Sequence, residues 1–179
     1  MSLEMEDVDA RLLIDLLLDH RSADYSLGQH FLHDEKTLLE AISLCVNAGE
    51  PLDNESHVIE IGPGPGSLTL HLLQTGTVVT AIEIDDEAVN HLNRNFNTEI
   101  SEKKLHIFHG DALKTEWPTS THIIANIPYQ ISSPLIDKIS RLPVDQRPRC
   151  VVLLVQQEFA ERLSLQGGPD SMGSLGLTT

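Results

Sequence analysis

His57-Val58-Ile59-Glu60-Ile61-Gly62-Pro63-Gly64-Pro65-Gly66-Ser67 decides the fold. A short run rich in β-branched residues closes on a glycine-rich turn, and helical spacing resumes from Ser67 to about Gln74. The stretch therefore reads as strand, tight turn and helix. The same alternation repeats downstream. Strands are expected over 78–83, 105–109, 122–126 and 150–156, with helices from the Asp85-Asp86 cap to Phe96, over 134–142 and from Gln157 to Ser164. The last strand carries Cys150-Val151-Val152-Leu153-Leu154-Val155, a continuous apolar run suited to a parallel strand covered on both faces. Upstream, residues 8–19 show a broad apolar helical face and 20–33 read as a linker. Asp34 caps a helix to about Ala48, with Gly49 at its end. Five strands alternating with helices imply an α/β, doubly wound, mainly parallel sheet with right-handed crossovers.

A chain of 179 residues, 40% of them hydrophobic, is enough for one domain around a single core. No apolar run reaches the roughly eighteen residues of a membrane span, and Met1-Ser2-Leu3-Glu4 lacks the blocks of a secretory signal. Cys45 and Cys150 sit in apolar runs and read as small core residues of a reducing compartment, with a disulfide between them as the alternative. The nine histidines show no metal-ligand spacing, so no metal is expected. A monomeric, cytoplasmic protein without a membrane partner is the expectation. The formal net charge of -15 comes from 27 acidic residues against 12 basic ones. Phosphate contacts supply much of the affinity for nucleic acid, so this balance argues against an RNA partner unless the basic surface lies outside this chain or the source lives in high salt. The last two readings are preferred.

Ligands of such sheets bind beyond the carboxyl ends of the strands, and each candidate motif falls at such an end. Gly62, Gly64 and Gly66 let the backbone approach a ligand closely. Their G-x-G-x-G spacing brings the third glycine one position early for a dinucleotide fingerprint. With the preceding acid it suits S-adenosylmethionine better; a bare βα turn is the bland alternative. Glu83 ends the next strand, where a carboxylate can take both hydroxyls of a ribose; this points to an adenosine ligand, NAD included. Asp111, in Gly110-Asp111-Ala112-Leu113, is either a turn residue or an acceptor for an adenine amino group. Asn126-Ile127-Pro128-Tyr129 follows the strand Ile123-Ile124-Ala125. An amide oxygen and a backbone carbonyl there can accept the two N–H bonds of an exocyclic amine and localise its lone pair, while the aromatic face holds an unstacked base. An ordinary strand-ending turn is the alternative.

Together with Gly28-Gln29-His30-Phe31-Leu32 upstream and Gln156-Gln157-Glu158-Phe159-Ala160-Glu161-Arg162-Leu163 downstream, these motifs resemble the rRNA adenine N6-dimethyltransferases, the dimethyladenosine transferases of ribosome biogenesis. The resemblance runs from about Leu27 to Leu163, in the family's order, and Gly-Gln-His-Phe-Leu is similar to the archaeal branch. It implies a Rossmann-like S-adenosylmethionine-dependent methyltransferase fold, with 1–33 as N-terminal helix and cofactor-covering linker, 34–164 as core and 165–179 as loop-like tail. It further implies that Gln29, His30 and Leu32 line the cofactor pocket and that Gly62, Gly64 and Gly66 approach the methionine part. Glu83 would then take the ribose and Asp111 the adenine, with Ile84 and Ala112 also binding the cofactor. Asn126 would touch cofactor and base, with Pro128 supplying a carbonyl and Tyr129 a stacking face as the catalytic set. The implied reaction dimethylates N6 of two adjacent adenosines near the 3′ end of small-subunit rRNA, within the immature small ribosomal subunit.

The chain departs from the pattern in three places. Arg21-Ser22-Ala23-Asp24-Tyr25-Ser26 stands where the family has a basic residue before Gly-Gln, and Met172-Gly173-Ser174-Leu175-Gly176 matches its Tyr-Gly-x-Leu-Ser only loosely. Family members also continue past the equivalent of Thr179 into two further strands and a small helical domain. The resemblance therefore implies a sheet truncated at its C-terminal end, which binds the cofactor and methylates poorly. Three rivals remain: a non-methylating assembly or transcription factor on the same fold, a methyltransferase for another nucleic-acid or amine substrate, and an NAD-dependent oxidoreductase.

Overall fold

The computed structural model describes residues 9–19 and 34–166. In chain order the elements are α1 (Ala10–Leu18), α2 (Glu35–Asn47), β1 (His57–Ile61), α3 (Ser67–Gln74), β2 (Val78–Glu83), α4 (Asp86–Asn95), α5 (Asn97–Ser101), β3 (Leu105–His109), β4 (His122–Asn126), α6 (Tyr129–Ser140), β5 (Cys150–Leu154) and α7 (Gln157–Gln166). Local chemistry sets several of the starts. The Asp9 carboxylate accepts from Leu12 N at 2.7 Å, Asp34 caps α2 through Thr37 N at 3.1 Å, and Asp85 caps α4 through Glu87 N at 2.9 Å and Ala88 N at 3.0 Å.

The five strands form one parallel sheet in the order β3-β2-β1-β4-β5, the Rossmann-like arrangement expected from the βα alternation. Alternate residues of each strand feed opposite faces. Val58, Val79, Ala81, Ile124 and Val152 meet helices α1 to α4 on one side, while Ile59, Ile61, Ile82, Ile123 and Leu153 meet α6 and the 112–117 loop on the other. Winding runs outward from β1 to β3 and then returns to β4 on the other side of β1, so the carboxyl ends of β1 and β4 flank a topological switch point.

Two boundaries differ from those read in the sequence. The helix expected over 134–142 spans Tyr129–Ser140, with Pro134 inside it. Pro128 supplies the preset φ at its N-cap, whereas Pro134, the sixth residue, lies past the first turn and leaves the Gln130 carbonyl without its i+4 donor. β5 ends at Leu154 rather than at 156, because the Gln156 carbonyl already accepts from Phe159 N at 3.0 Å and Ala160 N at 3.1 Å. The helix α5 and a single 3-10 turn at Val144–Gln146 carry no apolar period long enough to predict. Cys45 and Cys150 are buried thiols whose sulfurs stand 3.8 Å apart between α2 and β5. Among the described residues no helix is long and apolar enough to cross a membrane.

Candidate active site

The turn after β1 is built from glycines in the left-handed region: Gly62 has φ +65°, Gly64 +53° and Gly66 +89°. The intervening prolines cannot donate, and the turn closes through Gly66 N on the Pro63 carbonyl at 2.9 Å. A Cβ at Gly62 would project into open space, whereas one at Gly66 would lie 2.6 Å from Phe96 Cε2 and 2.9 Å from Leu92 Cδ2. Gly66 thus lets the turn press onto α4, and Gly62 leaves its outer side bare. The His91 ring of α4 adds a second hold, donating through Nε2 to the Pro65 carbonyl at 3.1 Å.

Two buried acids lie against this turn. Glu83, at the end of β2, accepts from Gly64 N at 2.9 Å through Oε2, and from Ile84 N at 2.8 Å and Asp85 N at 3.0 Å through Oε1. Three of its roughly four lone-pair sites are therefore used by backbone, and among the described residues the open one is on Oε2. Burial pushes its carboxyl up against the lowering pull of these three N–H groups. Ile84 beside it is an exposed apolar side chain. Glu60, 1% exposed on β1, accepts from the Thr69 hydroxyl at 2.6 Å and is pushed up to about 8, chiefly by burial. It is a neutral acid at neutral pH.

Asp111 follows β3 on a partly exposed turn. Its carboxylate accepts from Leu113 N at 2.9 Å and pairs with Lys114 at 3.0 Å, and these contacts hold it below the ordinary carboxylate range. Ala112 is buried behind it.

At the switch point, Asn126 closes β4 half-buried, and Ile127 N donates to the Leu154 carbonyl at 3.1 Å. The Pro128 carbonyl, expected to face a base, accepts from Ile131 N at 3.2 Å and from the Ser132 hydroxyl at 3.1 Å. The physical reason is that α6 begins at Tyr129, which makes this the N-cap carbonyl. Among the described residues no hydrogen bond ends on the Ile127 carbonyl one position earlier. The Tyr129 ring is 43% exposed and meets the edge of Phe159 at a centroid distance of 6.1 Å and 88°.

Gly62, Gly64, Gly66, Glu83, Ile84, Asp111, Ala112, Asn126, Pro128 and Tyr129 thus all fall at the carboxyl ends of β1 to β4. Gln29, His30 and Leu32 lie outside the described residues. The sequence did not single out His91 or Phe159 as site residues. His91 had no signal, since its role depends on α4 crossing behind the turn; Phe159 was quoted within a motif, but only the tertiary fold sets its ring edge-on to Tyr129.

The family model described as "Ribosomal RNA adenine dimethylase" matches residues 21–179. A "Probable ribosomal RNA small subunit methyltransferase A" of Haloarcula marismortui is 40% identical over 158 residues, covering 88% of this chain and 53% of that protein. A "Ribosomal RNA small subunit methyltransferase" of Arabidopsis thaliana is 41% identical over 154 residues, or 86% of this chain and 42% of its own length. The chain spans about half the length of the curated relatives it matches. Among solved structures, a dimethyladenosine transferase from Plasmodium falciparum superposes with a TM-score of 0.64 at 34% identity, over 75% of this chain and 46% of that one.

Proposed function

The chain belongs to the ribosomal RNA adenine dimethylase family, and from that premise we propose that it transfers methyl groups from S-adenosylmethionine to N6 of two adjacent adenosines near the 3′ end of small-subunit rRNA during ribosome biogenesis. The observation that carries this reading is the pairing, across one switch point, of a left-handed glycine turn with Asn126-Ile127-Pro128-Tyr129.

The pocket edge fits this cofactor better than a dinucleotide. Gly62 leaves open space at the turn, Ile84 offers an exposed apolar surface, and Asp111 offers an acceptor at the next strand end. Gly64 N already donates to Glu83, so it is not free to cradle a diphosphate. Gly62 and Gly64 would face the methionine part, Glu83 Oε2 the ribose, and Asp111 with Ala112 the adenine. The cofactor, when bound, supplies an electrophilic methyl group.

The chain's own residues position the acceptor. The Asn126 amide oxygen and the Ile127 carbonyl would take the two amino N–H bonds, and the exposed Tyr129 face would hold the base. The Ile127 carbonyl replaces that of Pro128 in this role because the latter closes α6. No strong base is required, since the amino proton becomes acidic once nitrogen attacks, and rate comes from placement.

Calorimetric titration with S-adenosylmethionine, with NAD as control, tests the cofactor; single-turnover methylation of immature small subunits followed by nucleoside analysis tests the reaction. Selective binding and N6-dimethyladenosine are expected. Asn126→Ala should lower methylation by about 100-fold while cofactor affinity stays within a few-fold. Binding of NAD alone, or a variant that methylates normally, would refute the reading.

A further inference from the structure

Lys138 of α6 does not reach the strand ends, yet it ties two of them together. Its ammonium donates to three converging carbonyls: Ala112 at 2.8 Å, Thr115 at 2.6 Å and Leu113 at 3.3 Å. These carbonyls belong to an isolated turn, in which Lys114 N and Thr115 N both donate to the Asp111 carbonyl at 2.9 and 2.8 Å. Such a turn leaves its last carbonyls without backbone partners, and the three donors of one ammonium match three acceptors. The same cation stands 4.5 Å from the centroid of Trp117, whose indole N–H donates to the Ala112 carbonyl at 3.0 Å. Ala112 is thus fixed by both partners of a cation–π pair. Lys138 belongs to α6, the helix that begins at Tyr129, so its contacts tie the Asp111–Thr115 turn to the element that the Asn126–Tyr129 segment leads into.

We propose that Lys138 is a positioning residue for adenosine recognition: it fixes the Asp111-Ala112 turn against α6, and so sets the adenine subsite relative to the base-facing segment. This rests on the cofactor reading above. Lys138 touches neither ligand; it acts through three carbonyls and Trp117. Burial pulls its ammonium below the ordinary lysine value, and the opposing pull of Asp111 and Glu116 is smaller.

Trp117 is the sole tryptophan, so its emission reports on this turn. The test compares the 179-residue chain with Lys138→Met, which keeps the stem and removes all three donors, and with Lys138→Arg. S-adenosylhomocysteine and adenosine are titrated by calorimetry and by Trp117 fluorescence, at a temperature where melts show each variant folded. Losing a charge-assisted contact of this kind is expected to weaken both ligands about tenfold or more. Either ligand should change Trp117 emission in the unaltered chain, and this change should be lost in Lys138→Met. Lys138→Arg should fall between, since a planar fork cannot serve three converging carbonyls. Affinity within twofold of the unaltered chain in Lys138→Met, even with a lower melting temperature, overturns the proposal and leaves Lys138 a purely structural tie. Where Lys138→Met does not fold, Lys138→Arg decides: unchanged affinity despite a displaced Trp117 emission overturns it equally. Failure of the unaltered chain to bind either ligand instead refutes the cofactor reading, and the proposal falls with it.

Discussion

Replacing Glu60 by glutamine should flatten the dependence of stability on pH. Glu60 is 1% exposed on the central strand β1, and its carboxyl is pushed up to about 8 from an ordinary value of 4.5, chiefly by burial. The sign follows from proton counts. Between these values the unfolded chain has lost the proton and the folded chain keeps it, so the folded state binds more protons and stability falls as pH rises. The contribution is fully present below 4.5 and is lost as pH rises through about 8. At about 1.4 kcal/mol per pH unit, the whole window is worth on the order of 5 kcal/mol. Glu83 adds to the same slope, since burial raises its carboxyl too. The difference between parent and variant isolates Glu60. The glutamine carbonyl can still accept from the Thr69 hydroxyl, which the carboxyl now accepts from at 2.6 Å. Its amide brings two buried donors, so the absolute offset mixes several effects and the slope is the quantity to read. Urea denaturation at pH 5, 6, 7 and 8 should show the parent losing about 1 kcal/mol per pH unit relative to Glu60→Gln. A difference constant across that range would refute the buried neutral acid.

Gly66→Ala should destabilise the fold by about 2 kcal/mol or more, because the residue holds φ +89° and its Cβ would lie 2.6 Å from Phe96 Cε2; unchanged urea denaturation would mean that α4 yields to the turn. Tyr129→Ala should lower kcat/KM for immature small subunits by about 5- to 100-fold, the worth of one stacked base, while Tyr129→Phe stays near the parent. Equal losses in both would shift the role from the exposed ring face to the hydroxyl.

The fold was legible where periodicity and punctuation agreed. The ranges 57–61, 78–83, 105–109 and 122–126 are the strands β1 to β4, because each is a short apolar run ended by glycine, acid or Asn-x-Pro. The start of α6 was misplaced because two prolines compete for it in the sequence. Pro134 reads as a first helical residue, but Pro128, with φ -64° preset by its ring and an extended ψ of 148°, stands as the N-cap and the helix starts at Tyr129. The same shift bears on a carbonyl: with α6 starting there, Pro128 O accepts from Ile131 N and the Ser132 hydroxyl, while no bond among the described residues ends on Ile127 O. The places of the candidate residues were legible, since strand ends follow from strand ranges. Their partners were not. Glu83 was read as a ribose ligand, and nothing in its neighbours announces that Gly64, nineteen residues back, donates to it. Lys138 shows no pattern at all, because its role exists only once the 112–115 carbonyls converge on α6.

The two halves of the candidate site are built on different principles. On the cofactor side, protein groups satisfy one another before any ligand arrives. Glu83 holds Gly64, Asp85 caps α4, His91 holds Pro65, and Phe96 occupies the space that a side chain at Gly66 would need. A pocket so cross-linked changes little on binding, and affinity for a small ligand gains from that preorganisation. On the base side, the Ile127 carbonyl takes no bond among the described residues, and the Tyr129 ring is 43% exposed with Phe159 at its edge. If the acceptor is an unstacked adenine, as proposed, the RNA would set part of its orientation, and the protein would need acceptors and a flat face at the right place. With a net charge of -15 this chain contributes little general attraction for phosphate. On the proposed reading, discrimination would then rest on the placement of the base against Asn126, Ile127 and Tyr129, and the proposed Lys138 tie would keep that segment in register with the adenine subsite.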